Sequence, residues 1–263
     1  METIITVIIL FPIYWMMITS FKQYSEVFTV PPSFWPRNFT LEGYKKVWSS
    51  LNFNRLFYNT FVASISTTAL SMPIAILAGY SLSRLKFKGR ELLGMIILGT
   101  YMFPGVLLII PLFVFMSNLN LINNLSSLVI ASTTFTLPFC IWMLRAYFST
   151  IPSDLEDAAR IDGCSRIKAI IYVILPLSLP GIAATSIFAF MNAWGNYMFA
   201  LLFLTSQDKM TLPPALSTFI TREAIYWNEI TVGGVIATIP VIMFFLLVQK
   251  YIVQGLTAGG VKG

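Results

Sequence analysis

Histidine is absent from the 263 residues, and cysteine occurs only at Cys140 and Cys164. The first absence removes the side chain most used to move protons or bind metals near neutral pH. The second leaves no disulfide framework to stiffen a small fold. Charge is scarce too. Asp, Glu, Lys and Arg make up 11% of the chain against 57% hydrophobic residues, and the mean hydropathy is +0.78, outside the range of soluble domains. No G-x-x-x-x-G-K-[ST] phosphate loop occurs, so the chain has no means of binding and hydrolysing ATP by itself. It carries no Ser/His/Asp set, no metal-ligand cluster and no membrane-embedded carboxylate pair. The net charge of +6 comes without a basic, aromatic-interleaved stripe, so no nucleic acid partner is expected.

What is present is length without charge. Residues 3–21, 56–83, 92–144, 169–207 and 230–249 hold no charged side chain. About 20 apolar helical residues cross a bilayer core, and a buried charge there costs roughly 2.5–3.5 kcal/mol. Lipid is therefore the solvent these segments suit. The longest run is divided by SNLNLINNLSS (117–127), a polar turn. The expectation is an all-α polytopic membrane protein forming one transmembrane domain over 1–263, with six spans at about 3–20, 56–82, 92–116, 125–147, 177–204 and 230–253. The first is read as a retained helix.

Arg84, Lys86, Lys88 and Arg90 crowd the second connection, whereas the third has no basic residue. By the positive-inside rule the second connection is cytoplasmic. Alternation then puts both termini on that side, together with the loop at 150–175.

That loop contains PSDLEDAARIDG (152–163), a dense patch of charge in a charge-poor chain. Ser153 and Glu156 have the spacing of a reciprocal capping box. Asp154 and Glu156 suit the positive end of a helix dipole, and Gly163 suits a helix end that needs positive φ. The helix so bounded is too short to stand alone. Leu155, Ala158, Ala159 and Asp162 share one face, with small residues at its centre. An interfacial anchor would carry Lys or Arg opposite bulky apolar residues; this helix carries carboxylates opposite alanines. It reads as a docking element rather than a plain connector.

Asp157-Ala158-Ala159, three residues, Gly163, nine residues, then Val173-Ile174-Leu175-Pro176 resembles the EAA motif of ABC importer permeases, with Asp for the first Glu and Val for Ile. Glu156, immediately before, leaves two acids open to the docking role. SFKQYSEVF (20–28), SLSRLKFKGR (81–90), FPGVLLIIPLF (103–113) and the ending GLTAGGVKG (255–263) are similar to maltose-type sugar permease subunits. The resemblance implies a type I importer permease fold with a cytoplasmic coupling helix seated in an ATPase subunit. It implies that Ser153, Leu155, Glu156, Asp157, Ala158, Ala159, Asp162 and Gly163 form that joint. It further implies that the tail at 254–263 touches the ATPase through Gly259, Gly260 and Lys262. The implied partners are a second, non-identical permease, two ATPase subunits carrying ATP and Mg, and an extracellular solute-binding protein. No cofactor is implied on this chain. The setting would be a bacterial or archaeal plasma membrane, and the cargo a carbohydrate, a di- or oligosaccharide.

Polar residues at membrane depth are few. In FMNAWGNYMF (190–199), Asn192 and Asn196 fall on one helical face with Trp194 and Tyr197 nearby. Amides beside aromatic rings suit a sugar; they equally suit hydrogen bonds between helices. The family usually has Asn and then an acid after this Trp, where Gly195 and Asn196 stand here. Pro104 and Pro111 mark a bend in the third span. The rival function is a self-contained secondary carrier or an integral-membrane enzyme. It would require ionisable residues within the spans or a catalytic set, and neither is in the sequence.

Overall fold

The computed structural model describes residues 2–50, 52–222 and 224–259, the last eight of them as backbone only. Within it the chain is helical apart from one isolated bridge, Ile220 to Ile225. Among the described residues four helices are long and apolar enough to cross a bilayer by themselves, and counting each of two bent helix pairs as one span gives six.

In chain order, α1 (Glu2–Ser20) leads to two short helices of the first connection, α2 (Tyr24–Val27) and α3 (Glu42–Ser50). α4 (Phe53–Arg84) is unbroken despite Pro73 and is about 48 Å long, longer than a ~30 Å hydrocarbon core. α5 (Arg90–Tyr101) and α6 (Ile109–Asn118) follow, then α7 (Leu125–Thr150), where the Asn124 side chain accepts from the Ser126 amide. α8 (Asp154–Ile161) is the charged helix. α9 (Arg166–Ala169) runs through a π turn (Ile170–Ile174) into α10 (Leu175–Leu177), and α11 (Leu179–Trp194) departs from it. α12 (Met198–Phe203), α13 (Leu212–Ser217) and α14 (Trp227–Gly259) complete the chain.

Two expected spans are not single helices. The third, placed at 92–116, turns by 84° between α5 and α6. Pro104 precedes the new helical turn and lacks the amide that would have continued the old one, while Pro111 sits in the first turn of α6, where a missing amide costs nothing. The fifth, placed at 177–204, turns by 77° at Ser178 and ends again at Trp194, before α12. Pro176 and Pro180 flank the first of these breaks and Gly195 occupies the second.

α4 is the centre of the bundle. Its most extensive packing is against α7, then α11, which also leans on α7 and α14; α1 rests chiefly on α14. The α4–α7 seam is built from small residues. Ala63, Ser64, Thr67, Ser71, Ala75 and Gly79 on one side meet Ser127, Ala131, Ser132, Thr136 and Cys140 on the other, all buried. Small side chains let helix backbones approach closely in lipid, where no hydrophobic drive separates helix from solvent. At Gly79 a Cβ would lie 3.0 Å from the Arg145 amide nitrogen and 3.2 Å from the Ile141 carbonyl oxygen. Hydroxyls on α4 return to carbonyls of the preceding turn, as in Thr60 to Leu56 and Ser64 to Thr60, both 2.7 Å. That satisfies those two without water, whereas the Thr67 and Ser71 hydroxyls of the same seam have no partner within the described residues.

Candidate coupling joint and transport pathway

At one end of the bundle, α8 is held against the C-terminal end of α4. The expected capping box does not form. Ser153 is itself helical (φ −64°, ψ −30°) and its hydroxyl lies 3.5 Å from the Asp154 carboxylate, not on an amide. Glu156 turns inward instead. The Tyr80 hydroxyl donates to its Oε1 at 2.5 Å, with both residues buried. A buried carboxylate left alone costs far more than an exposed cap contributes, about 1 kcal/mol, and a charge-assisted bond to a phenol offsets that cost. Arg84, one turn further along α4, donates to the Ile151 carbonyl at 2.5 Å. Two side chains of α4 therefore clasp both the entry to α8 and its first turn.

The exit is closed as the glycine predicted. Gly163 has φ +88°, its amide bonds to Arg160 O and the Cys164 amide to Ala159 O, the paired bonds of a Schellman end. The faces of α8 divide differently from the expected stripe. Ala159 is buried with Glu156 against the body and is not presented outward. Leu155, Asp157, Ala158, Asp162 and Ile161 are exposed, Ile161 to 87%. Ile161 completes an apolar strip with Leu155 and Ala158, and neither it, Tyr80 nor Arg84 was among the expected site residues. Ile161 was visible as the sole large aliphatic on the charged half of the helix; the other two carry no local signal. Beside α8, an open concavity is lined by Arg84, Lys86, Arg160 and Arg166 together with Glu156 and Asp157.

The four residues expected along a passage separate into two groups. Asn192 accepts from Thr136 Oγ1 at 3.1 Å, and Asn196 Nδ2 donates to Ser132 Oγ at 3.0 Å, so both amides face α7. The Asn196 carbonyl also accepts from the Phe199 amide at 3.2 Å, bracing the break before α12. Trp194 points the other way. It is buried, stacks on Phe190 with ring centroids 5.6 Å apart, and donates its indole N–H to Ala237 O of α14 at 3.1 Å. It belongs to the core and not to an exposed polar surface. Tyr197 is exposed, with its hydroxyl 3.5 Å from Ser217 Oγ. Of the tail residues, Gly259 is the last of α14, and Gly260 and Lys262 lie outside the described residues.

The opposite end is also tied to α4. Asn59 Nδ2 donates to the carbonyls of Asp208 and Met210, both at 2.9 Å, Thr60 Oγ1 accepts from the Leu212 amide at 2.8 Å, and Arg55 reaches Asp208 O at 3.2 Å. Nearby, Lys22 is buried over the Trp15 ring and donates to Ser33 O at 2.5 Å. Burial pushes its ammonium below the usual lysine value. Burial also opposes ionisation of Glu26. Hydrogen bonds from the Ser33 hydroxyl and the Arg37 and Asn38 amides outweigh it, and hold that carboxyl below the ordinary glutamate value.

Residues 71–258 match the family model of the binding-protein-dependent transport system inner membrane component. The chain is 39% identical over 263 residues to the trehalose/maltose transport system permease protein MalG of Thermococcus litoralis, covering 99% of this chain and 94% of that protein. It is 38% identical over 254 residues to the sulfoquinovosyl glycerol transport system permease protein SmoH of Agrobacterium fabrum, with 97% and 89% covered. Among solved structures, it superposes with a TM-score of 0.77 on a chain of a bacterial ABC transporter involved in the import of the acidic polysaccharide alginate. That match is 25% identical and covers 95% of this chain and 93% of the other.

Proposed function

The chain belongs to the family of binding-protein-dependent transport system inner membrane components, a multi-pass permease subunit of an ABC importer and not an enzyme, and from that premise we infer that its cargo is a carbohydrate. The relatives named for trehalose and maltose, for sulfoquinovosyl glycerol and for alginate support that class of cargo. A di- or oligosaccharide fits a membrane passage with few charges and several amides and hydroxyls.

The observation that carries the coupling role is α8. It is clasped from behind by Tyr80 and Arg84 while Leu155, Ala158 and Ile161 face away from the body. An apolar strip edged by Asp154, Asp157 and Asp162 is a surface made for a partner with an apolar groove and basic rim. That partner is an ATPase subunit, two copies of which would carry ATP and Mg. A second, non-identical permease completes the membrane part, and an external binding protein delivers the sugar. α14, 33 residues and about 50 Å long, exceeds the hydrocarbon core. With the basic second connection on the ATPase side, we place the far end of α14 there too, with Gly259, Gly260 and Lys262 as proposed contacts. Of the passage residues, Asn192, Asn196 and Tyr197 remain in the reading and Trp194 leaves it.

Expression with its neighbouring genes tests this. The chain should copurify with an ATPase whose turnover rises with the binding protein, and liposomes holding the complex should take up sugar only with ATP. Solute movement by the purified chain alone, driven by a proton gradient, would establish the secondary-carrier reading instead.

A further inference from the structure

α8 is joined covalently to α7 by residues 151–153 and to α9 by 162–165, the second link passing through the positive-φ Gly163. A short linker through a glycine is a poor conductor of force. The firmer grip on α8 is lateral: the buried Tyr80–Glu156 bond and the Arg84–Ile151 bond, both from α4. At its other end α4 holds the loop before α13 by three carbonyls or amides through Asn59 and Thr60. Asn59 and Tyr80 are 21 residues apart on one continuous helix, about 32 Å of rise, close to the thickness of a bilayer core. The helix between them is packed on two sides by α7 and α11, so it moves as a unit or not at all.

We propose that α4 is the rod that couples the two faces of the transporter, with Tyr80–Glu156 as its joint to the ATPase-docking helix and Asn59–Asp208/Met210 as its joint to the external loop. Glu156 acts as the acceptor of that joint, and the charge presented to the partner is that of Asp157 and its exposed neighbours. Tyr80, Asn59 and Glu156 are positioning residues. The proposal rests on the importer reading and adds to it the path by which arrival of the binding protein reaches the ATPase.

The test uses the whole transporter, with ATPase subunits and binding protein, in liposomes. Its readouts are the ratio of hydrolysis with and without binding protein, and solute moved per ATP. Tyr80→Phe keeps the ring edge-on to Phe148 and removes only the hydroxyl. Both readouts should fall about tenfold while the subunits still copurify. Glu156→Gln keeps an acceptor oxygen for the phenol and should lose clearly less than Tyr80→Phe on both readouts. Asn59→Leu should mimic Tyr80→Phe, and the double variant should be no worse than the worse single, because the joints act in series.

Normal coupling in Tyr80→Phe, multiplied losses in the double variant, or a Glu156→Gln as damaging as Tyr80→Phe would each overturn the proposal. If Tyr80→Phe complexes do not assemble, normal coupling in Asn59→Leu, or a Glu156→Gln as damaging as Asn59→Leu, overturns the proposal. An unaltered complex with no response to any binding protein overturns the importer reading itself, and that outcome is separate from every variant result.

Discussion

Single residues impose two kinds of constraint in this chain, conformational and electrostatic. Gly163 has φ +88° and nothing within 4 Å of where a Cβ would stand, so space is not the constraint. The backbone is. A β-branched side chain there costs about 1–2 kcal/mol, enough to undo the two closing bonds of α8. Gly163→Val should speed amide hydrogen exchange over 154–164 and lower ATP-driven uptake several-fold, and Gly163→Asn should do less of both. Glu26 supplies the electrostatic case. Its folded-state pKa lies below the unfolded one, so its stabilising effect is complete above the ordinary glutamate value and is lost as pH falls through the lowered one. Amide protection over 24–40, taken relative to the intrinsic exchange rate at each pH, should therefore fall on acidification below the ordinary range. Glu26→Gln should remove that pH dependence and leave protection lower throughout.

Elements show where reading a sequence succeeds and where it stops. Charge-free run length located α1, α4, α7 and α14 to within a few residues, because a bilayer's thickness sets a length and composition reports the solvent. Hydropathy is blind to direction: Pro104 and Pro111 marked a bend in the third span without its size, and the break within the fifth went unread. FPG at 103–105 and the pair Pro176 and Pro180 mark where helices break, but not that the chain turns by 84° and 77° there. The start, end and amphipathic character of α8 were legible in PSDLEDAARIDG. Which way it faces was not. That depends on Tyr80, 76 residues away, and a tertiary bond to a buried acid overrode the local preference for a capping box. The same applies to Asn192 and Trp194, two positions apart yet facing α7 and α14. The exposed strip of α8 makes a prediction of its own. Burying an isoleucine is worth roughly 1.5–3 kcal/mol, and 1.4 kcal/mol is tenfold in affinity. Ile161→Ser should thus weaken association with the ATPase at least tenfold in a pull-down titration, whereas Ala159→Ser, on the inner face, should leave that affinity unchanged.

The whole molecule has two unlike ends, and its function requires them to face opposite compartments. One end places Arg84, Lys86, Arg160 and Arg166 beside α8, with Lys88, Arg90 and Lys168 close to them in sequence; the other holds the braced segments 22–37 and 208–212. Basic residues are retained on the cytoplasmic side, which is also where ATP is. The orientation inferred from charge and the one required by an ATPase partner are therefore independent arguments for one arrangement. The two native cysteines make it measurable. Cys140 is fully buried in the α4–α7 seam, and Cys164 is partly accessible one residue beyond Gly163. A membrane-impermeant maleimide added to intact cells should label neither, and after permeabilisation it should label Cys164 alone. Gln207→Cys, exposed on the opposite end, should react before permeabilisation. Labelling of Cys164 in intact cells would invert the molecule and place α8 beyond the reach of any ATPase, so the direction of the bundle and its energy source are tested together.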